Sequence, residues 1–131
     1  MILIFSTVYS QYLDASPVFD DSRQLIKFSE SLNRKHSIWA YLIATSLRDL
    51  GHKAIIILTN PRLFSSFDLF INIVVEIVAC HDIRFIIVED PNVLSPKTFP
   101  YLRHLYPNLF FIAHYCAPYR LSVPIDHLYD A

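Results

Sequence analysis

The side chains able to do chemistry in this sequence fall directly after its apolar runs. Glu89, Asp90 and Asn92 follow the run ending at Val88, and His114 follows the run ending at Ala113, with Arg120 a little further on. A longer stretch after the first apolar run carries Tyr9, Gln11, Tyr12 and Asp14. A carboxylate within hydrogen-bond reach of a ligand hydroxyl can take its proton, which fits Glu89 or Asp90. Asp90 also stands before Pro91 and reads equally as a turn initiator. His114 suits a general base near neutral pH or a donor to a ligand, and a histidine at a strand end also serves structure alone. Arg120 could hold an anion or be a plain surface cation. Aromatic rings among amide and carboxylate tips suit a sugar or other polyol, since ring faces stack on C–H patches while the tips fix hydroxyls. Covering a sheet edge is the plainer role for the same loop.

Positioning these groups requires the apolar runs to be strands. Residues 2–9, 54–59, 83–88 and 109–114 are apolar at nearly every position, as strands buried on both faces must be, and 127–131 suggests the start of a fifth. Helices are predicted over 21–32, 37–50, 67–80 and 96–105. The second carries Ile38, Tyr41, Leu42, Thr45 and Leu50 at about helical spacing; the third carries Phe70, Ile73, Val74, Ile77 and Val78 on one side. Ser95 is the expected N-cap of the fourth, with Pro96 at its first position, and Pro100 is expected to confine it to its later part or to break it at Phe99. Gly51, the only glycine, falls where the second helix must stop and a strand begin. Alternating strands and helices predict an α/β domain: a doubly wound, mostly parallel Rossmann-like sheet of order 2-1-3-4 with helices on both faces. Its carboxyl edge then gathers the loops 6–20, 60–64, 89–94 and 114–120, where ligands bind in such sheets.

Composition narrows the classes. The 131 residues make one domain's worth of chain, with 11 Lys and Arg against 12 Asp and Glu. That balance, with the cations scattered, gives no footprint for nucleic acid. The most apolar stretch is interrupted by Asp68, Asn72 and Glu76, so no transmembrane segment is predicted. The amino terminus lacks a basic region and a small-residue cleavage site, so it reads as a strand, and a cytoplasmic location is the default. Cys80 and Cys116 lack paired spacing and are taken as reduced thiols. The histidines share no zinc-ligand spacing, no metal is predicted, and no Gly-x-Ser-x-Gly elbow supports a hydrolase nucleophile. A receiver-like phosphoacceptor domain lacks its acidic pair after the first strand. With a single glycine there is no phosphate-binding Gly-rich turn.

Several joints nonetheless fit a known pattern: the first strand through Tyr9, Trp39 and Ala40, Leu47 through His52, Asn60, Glu89 through Leu94, Ile112 through Pro118, and Leu128 through Asp130. Together they resemble the amino-terminal half of GT-B glycosyltransferases, most of all the group-1 and spore-maturation-protein-like branch. Residues 20–36 depart from it as an insertion-like polar stretch. The resemblance implies an acceptor-side domain, inactive until joined by a second Rossmann-like domain that binds the nucleotide-sugar donor. No cofactor is then expected in this chain, and residues 1–131 would be one domain, the front half of a longer protein. Its partners would be a sugar or glycan acceptor and the missing donor domain. Asp90 and His114 take the catalytic positions, and Tyr9, Gln11, Tyr12, Asp14, Glu89, Asn92 and Arg120 line the acceptor cleft. The alternative is a non-catalytic α/β interaction module that docks a partner through an exposed apolar surface.

Overall fold

The computed structural model describes residues 1–6, 19–32, 38–59, 64–89, 97–114 and 129–131. Along them run β1 (Ile2–Ser6), α1 (Ser22–Glu30), α2 (Ile38–Asp49), β2 (Ala54–Leu58), α3 (Phe67–Cys80), β3 (Phe85–Val88), α4 (Thr98–Leu105) and β4 (Phe110–Ala113). The four strands form one sheet, all parallel, in the order β2-β1-β3-β4. This is a doubly wound Rossmann-like arrangement, and the register aligns Ile4 with Ile56 on one side and Ile87 on the other.

Period-two alternation splits the core between the two faces of the sheet. Leu3, Phe5, Ile86, Val88 and Phe111 are buried beneath α3 and α4, where Phe5 meets Phe70 at 6.2 Å and Phe99 meets Phe111 at 5.0 Å. α1 packs against β2 and α3. Phe19, Phe28, Phe64 and Phe70 chain together beside it, with ring centroids 5.0 to 6.1 Å apart. α3 buries Phe70, Ile71, Ile73, Val74, Ile77 and Val78, and Ser66 caps it by accepting from the Leu69 amide at 3.1 Å. Asp21 caps α1 through the Gln24 amide, while the Gln24 side chain accepts from the Asp20 amide. No helix among the described residues is long and apolar enough to cross a membrane.

Among the described residues, α2 is the helix on the other face, against β2 and β1. Its sheet-facing stripe differs from the predicted one. Ala40 and Ala44 are fully buried, with Ile43 and Leu47 partly so, whereas Ile38, Leu42 and Leu50 are exposed. Residues 40, 43, 44 and 47 share one side of a helix, and alanines there let its backbone approach the sheet closely. At its end the Gly51 amide donates to the Arg48 carbonyl and the His52 amide to the Leu47 carbonyl, both at 2.9 Å. This paired capping needs a left-handed residue, and Gly51 has φ +90°.

Two more expectations are revised. Pro100 neither shortens α4 nor breaks it at Phe99, because it falls in the first turn, where its missing N–H has no intrahelical partner to lose. In the predicted fifth strand, residues 129–131 have no strand conformation but still cover the β4 edge. The Asp130 and Ala131 amides donate to the Phe111 carbonyl and the Ala113 amide to the Ala131 carbonyl, at 2.7 to 3.2 Å. The Asp130 carboxylate clasps that edge, accepting from the Phe111 amide at 2.8 Å and from Arg103 at 2.9 Å. Partial desolvation raises the Asp130 pKa, but the Phe111 amide and Arg103 outweigh it and hold the carboxyl below its ordinary range.

Candidate functional site at the carboxyl edge

Each strand hands one polar residue to the carboxyl edge: Ser6 ends β1, and Thr59, Glu89 and His114 directly follow β2, β3 and β4. The ladder continues one step past the strands. The Glu89 amide donates to the Phe5 carbonyl and the His114 amide to the Val88 carbonyl, both at 2.9 Å. Because Phe5 pairs with Val88 and Val88 with Ala113, Ser6, Glu89 and His114 stand side by side across β1, β3 and β4. They lie two residues beyond Ile4, Ile87 and Ile112, so they project on the face that carries α2.

The row is chemically coupled. The Ser6 hydroxyl donates to Glu89 Oε2, and the Ser6 carbonyl accepts from the Thr59 amide at 2.8 Å and its hydroxyl at 3.2 Å. Ser6 is fully buried, while Glu89 and His114 are half-buried at the rim. Trp39, in the first turn of α2, sets its ring 6.1 Å from the imidazole of His114 at an interplanar angle of 47°. A carboxylate thus sits between a hydroxyl and an imidazole, roofed on one flank by an indole.

The order within the row limits the chemistry. Adjacent strands are about 4.8 Å apart, so Ser6 and His114, two strands apart, are separated by about 10 Å at the backbone. A histidine that far away cannot activate Ser6 as a nucleophile, which needs direct hydrogen-bond reach. Glu89, half-buried and accepting from Ser6, is the carboxylate at the centre of the row. β1 leads to β2 on one side while β3 lies on the other, so the crevice beyond Ser6 and Glu89 is the topological switch point, the usual ligand position in such sheets. Phosphate binding there ordinarily uses glycine amides, but this chain's glycine is at the far end of α2, and a carboxylate occupies the crevice instead.

Of the residues predicted to line the cleft, Glu89 and His114 come together in this row, while Tyr9, Gln11, Tyr12, Asp14, Asp90, Asn92 and Arg120 lie outside the described residues. Ser6 and Trp39 were not among the predicted site residues. Ser6 could have been found as the last residue of a strand whose neighbour ends in Glu89. Among the described residues no three His, Cys, Asp or Glu side chains group as a metal site. No family model, curated protein or solved structure matches the chain.

Proposed function

We propose that this domain receives a sugar or glycan acceptor at the β1/β3 switch point, as the acceptor-side half of a GT-B glycosyltransferase. The observation carrying the reading is the Ser6–Glu89 hydrogen bond, a carboxylate already accepting from a hydroxyl where doubly wound sheets hold their ligands. A ligand hydroxyl would donate to the same carboxylate, with His114 beside it and the Trp39 ring offering an apolar face to sugar C–H groups. In transfer, the acceptor oxygen would bond to the donor sugar's anomeric carbon as the nucleotide phosphate leaves. The acceptor's proton would pass to His114 or Asp90. The negative charge of Glu89 makes the crevice a poor phosphate site, which supports donor binding on a separate domain.

The test is an amide NMR titration of the chain with neutral mono- and disaccharides, then with a nucleotide-sugar, for the native protein and Glu89→Gln. Saturable sugar shifts at Ser6, Glu89 and His114 that Glu89→Gln weakens about tenfold are expected, as for loss of one charge-assisted hydrogen bond. Tight nucleotide-sugar binding at the same amides, or sugar binding indifferent to Glu89→Gln, would overturn the reading.

A further inference from the structure

The contact between Trp39 and His114 joins two elements on different strands of the sheet. α2 packs on β2 and β1, whereas His114 follows β4, and the strand order puts β3 between them. The period of the helix decides where the indole points. Arg48 donates to the Ala54 carbonyl at 2.8 Å, and that carbonyl points away from β1, since the carbonyl of Lys53 beside it accepts from the Ile2 amide. Trp39 stands nine residues before Arg48, which is two and a half turns at 3.6 residues per turn. It therefore lies on the opposite flank of α2, toward β3 and β4.

A ring pair reaching from α2 to β4 crosses the strand that ends in Glu89. With strands about 4.8 Å apart, Trp39 and His114 bridge the crevice on the α2 side of the Ser6–Glu89 hydrogen bond. The described groups around His114 give a sign to what a proton does there. Glu89 flanks it on β3, and α2 brings the neutral indole, with no charged residue before Arg48. On the β4 edge, Asp130 is already paired with Arg103. A proton on the imidazole thus places a cation between a carboxylate and an aromatic ring, and both attract it.

We propose that Trp39 and His114 form a pH-operated latch over Glu89, shut when His114 is protonated and open when it is neutral. Histidine changes charge between about pH 5 and 8, so the latch works in the range where the Glu89 carboxylate stays ionised. Shut, the imidazolium lies against Glu89 and the indole, which withdraws both the carboxylate and the apolar ring face from a ligand. Open, the same indole turns to the ligand, so it has one partner at a time: His114 in acid, a sugar ring at neutral pH. A cation–aromatic contact at an exposed rim shifts such an equilibrium by about two- to fivefold. What enters the open crevice rests on the acceptor reading; the latch itself is a property of the protein alone.

Trp39 is the chain's single tryptophan, so its emission reports the latch without a label. Between about pH 7.5 and 5.5 the native emission should drop, because an imidazolium quenches an indole more than an imidazole does, and acrylamide should reach the ring less well. His114→Gln keeps the backbone amide that bonds Val88 but has no titrating ring, and should lose both changes. Should that variant fold poorly, NMR of the native chain decides: the ring-current shift that the indole imposes on the His114 ring protons should grow on acidification. An emission step that survives His114→Gln, acrylamide access indifferent to pH, or a ring-current shift that shrinks in acid overturns the latch. Titration with the same mono- and disaccharides separates the two readings. Where both hold, sugar affinity falls about two- to fivefold from about pH 7.5 to 5.5 in the native chain and stays level in His114→Gln. Sugar binding without the emission step overturns the latch alone, and the emission step without sugar binding at any pH overturns the acceptor reading alone.

Discussion

Replacing Gly51 with alanine isolates one conformational cost, because the space around the residue is empty. A Cβ built there meets nothing within 4 Å, so no steric term enters. What remains is the backbone: φ is +90°, and the two capping bonds, from the Gly51 and His52 amides, require it. Holding an L-residue in left-handed space costs about 1–2 kcal/mol, and φ +90° lies beyond the centre of that well, which favours the upper figure. Alanine also restricts the unfolded chain, returning about 0.4–1 kcal/mol. The net loss should be about 1 kcal/mol, or about 3–5 °C in Tm for a domain of this size. Gly51→Asn should lose less, since asparagine tolerates left-handed conformations. Calorimetric unfolding of the three proteins checks the order. An unchanged Tm for Gly51→Ala would refute the capping argument, and a loss above about 3 kcal/mol would demand a clash that the empty surroundings do not supply.

Two further perturbations probe the packing. Asp130→Asn keeps an acceptor for the Phe111 amide but loses the charge facing Arg103, and should cost up to about 1 kcal/mol, because both side chains remain about one-third exposed. Since the folded pKa of Asp130 is depressed, its stabilisation is present above the unfolded value of about 3.9 and fades as pH falls through the lower folded value. Urea unfolding should therefore separate wild type from Asp130→Asn at pH 7, and the gap should close in strong acid. Ala44→Leu, at a fully buried position of α2, should lift the helix from β2 and β1 and cost about 1–3 kcal/mol in the same assay.

The sheet was legible in the sequence because its strands are short apolar runs bounded by polar residues, and right-handed connections leave few orders for four parallel strands. α3 was legible to the residue: its stripe is built from large side chains, which dominate any apolar pattern. α2 misled for the opposite reason. Its sheet-facing stripe includes two alanines, which weigh little in a hydrophobic pattern, while Ile38 and Leu42 on its back weigh heavily. Pro100 misled because its effect depends on whether it falls in the first turn or later, a boundary that apolar spacing does not fix. At the site, Glu89 and His114 stood out as the first polar residues after buried runs. Ser6 did not, because its partner lies 83 residues away in sequence and is set beside it only by the register of β1 with β3.

The same topology separates what holds the domain from what it offers a ligand. Gly51 ends α2 at the amino edge of the sheet, just before β2, whereas Ser6, Glu89 and His114 stand at the carboxyl edge. A strand of five residues spans about 16 Å, so Gly51, the one left-handed residue among the described residues, is a full strand away from the row. In nucleotide-binding proteins with doubly wound sheets the glycines cluster at the carboxyl edge, where backbone must approach phosphate. Here the described part of that edge holds a buried serine donating to a carboxylate, an acceptor where phosphate sites present amide donors. Under the proposed acceptor reading, that exchange of donors for acceptors would favour a hydroxyl-rich neutral molecule over an anion. If the acceptor reading holds, a fold known for holding phosphates would serve the other partner of a transfer reaction without any change in strand order.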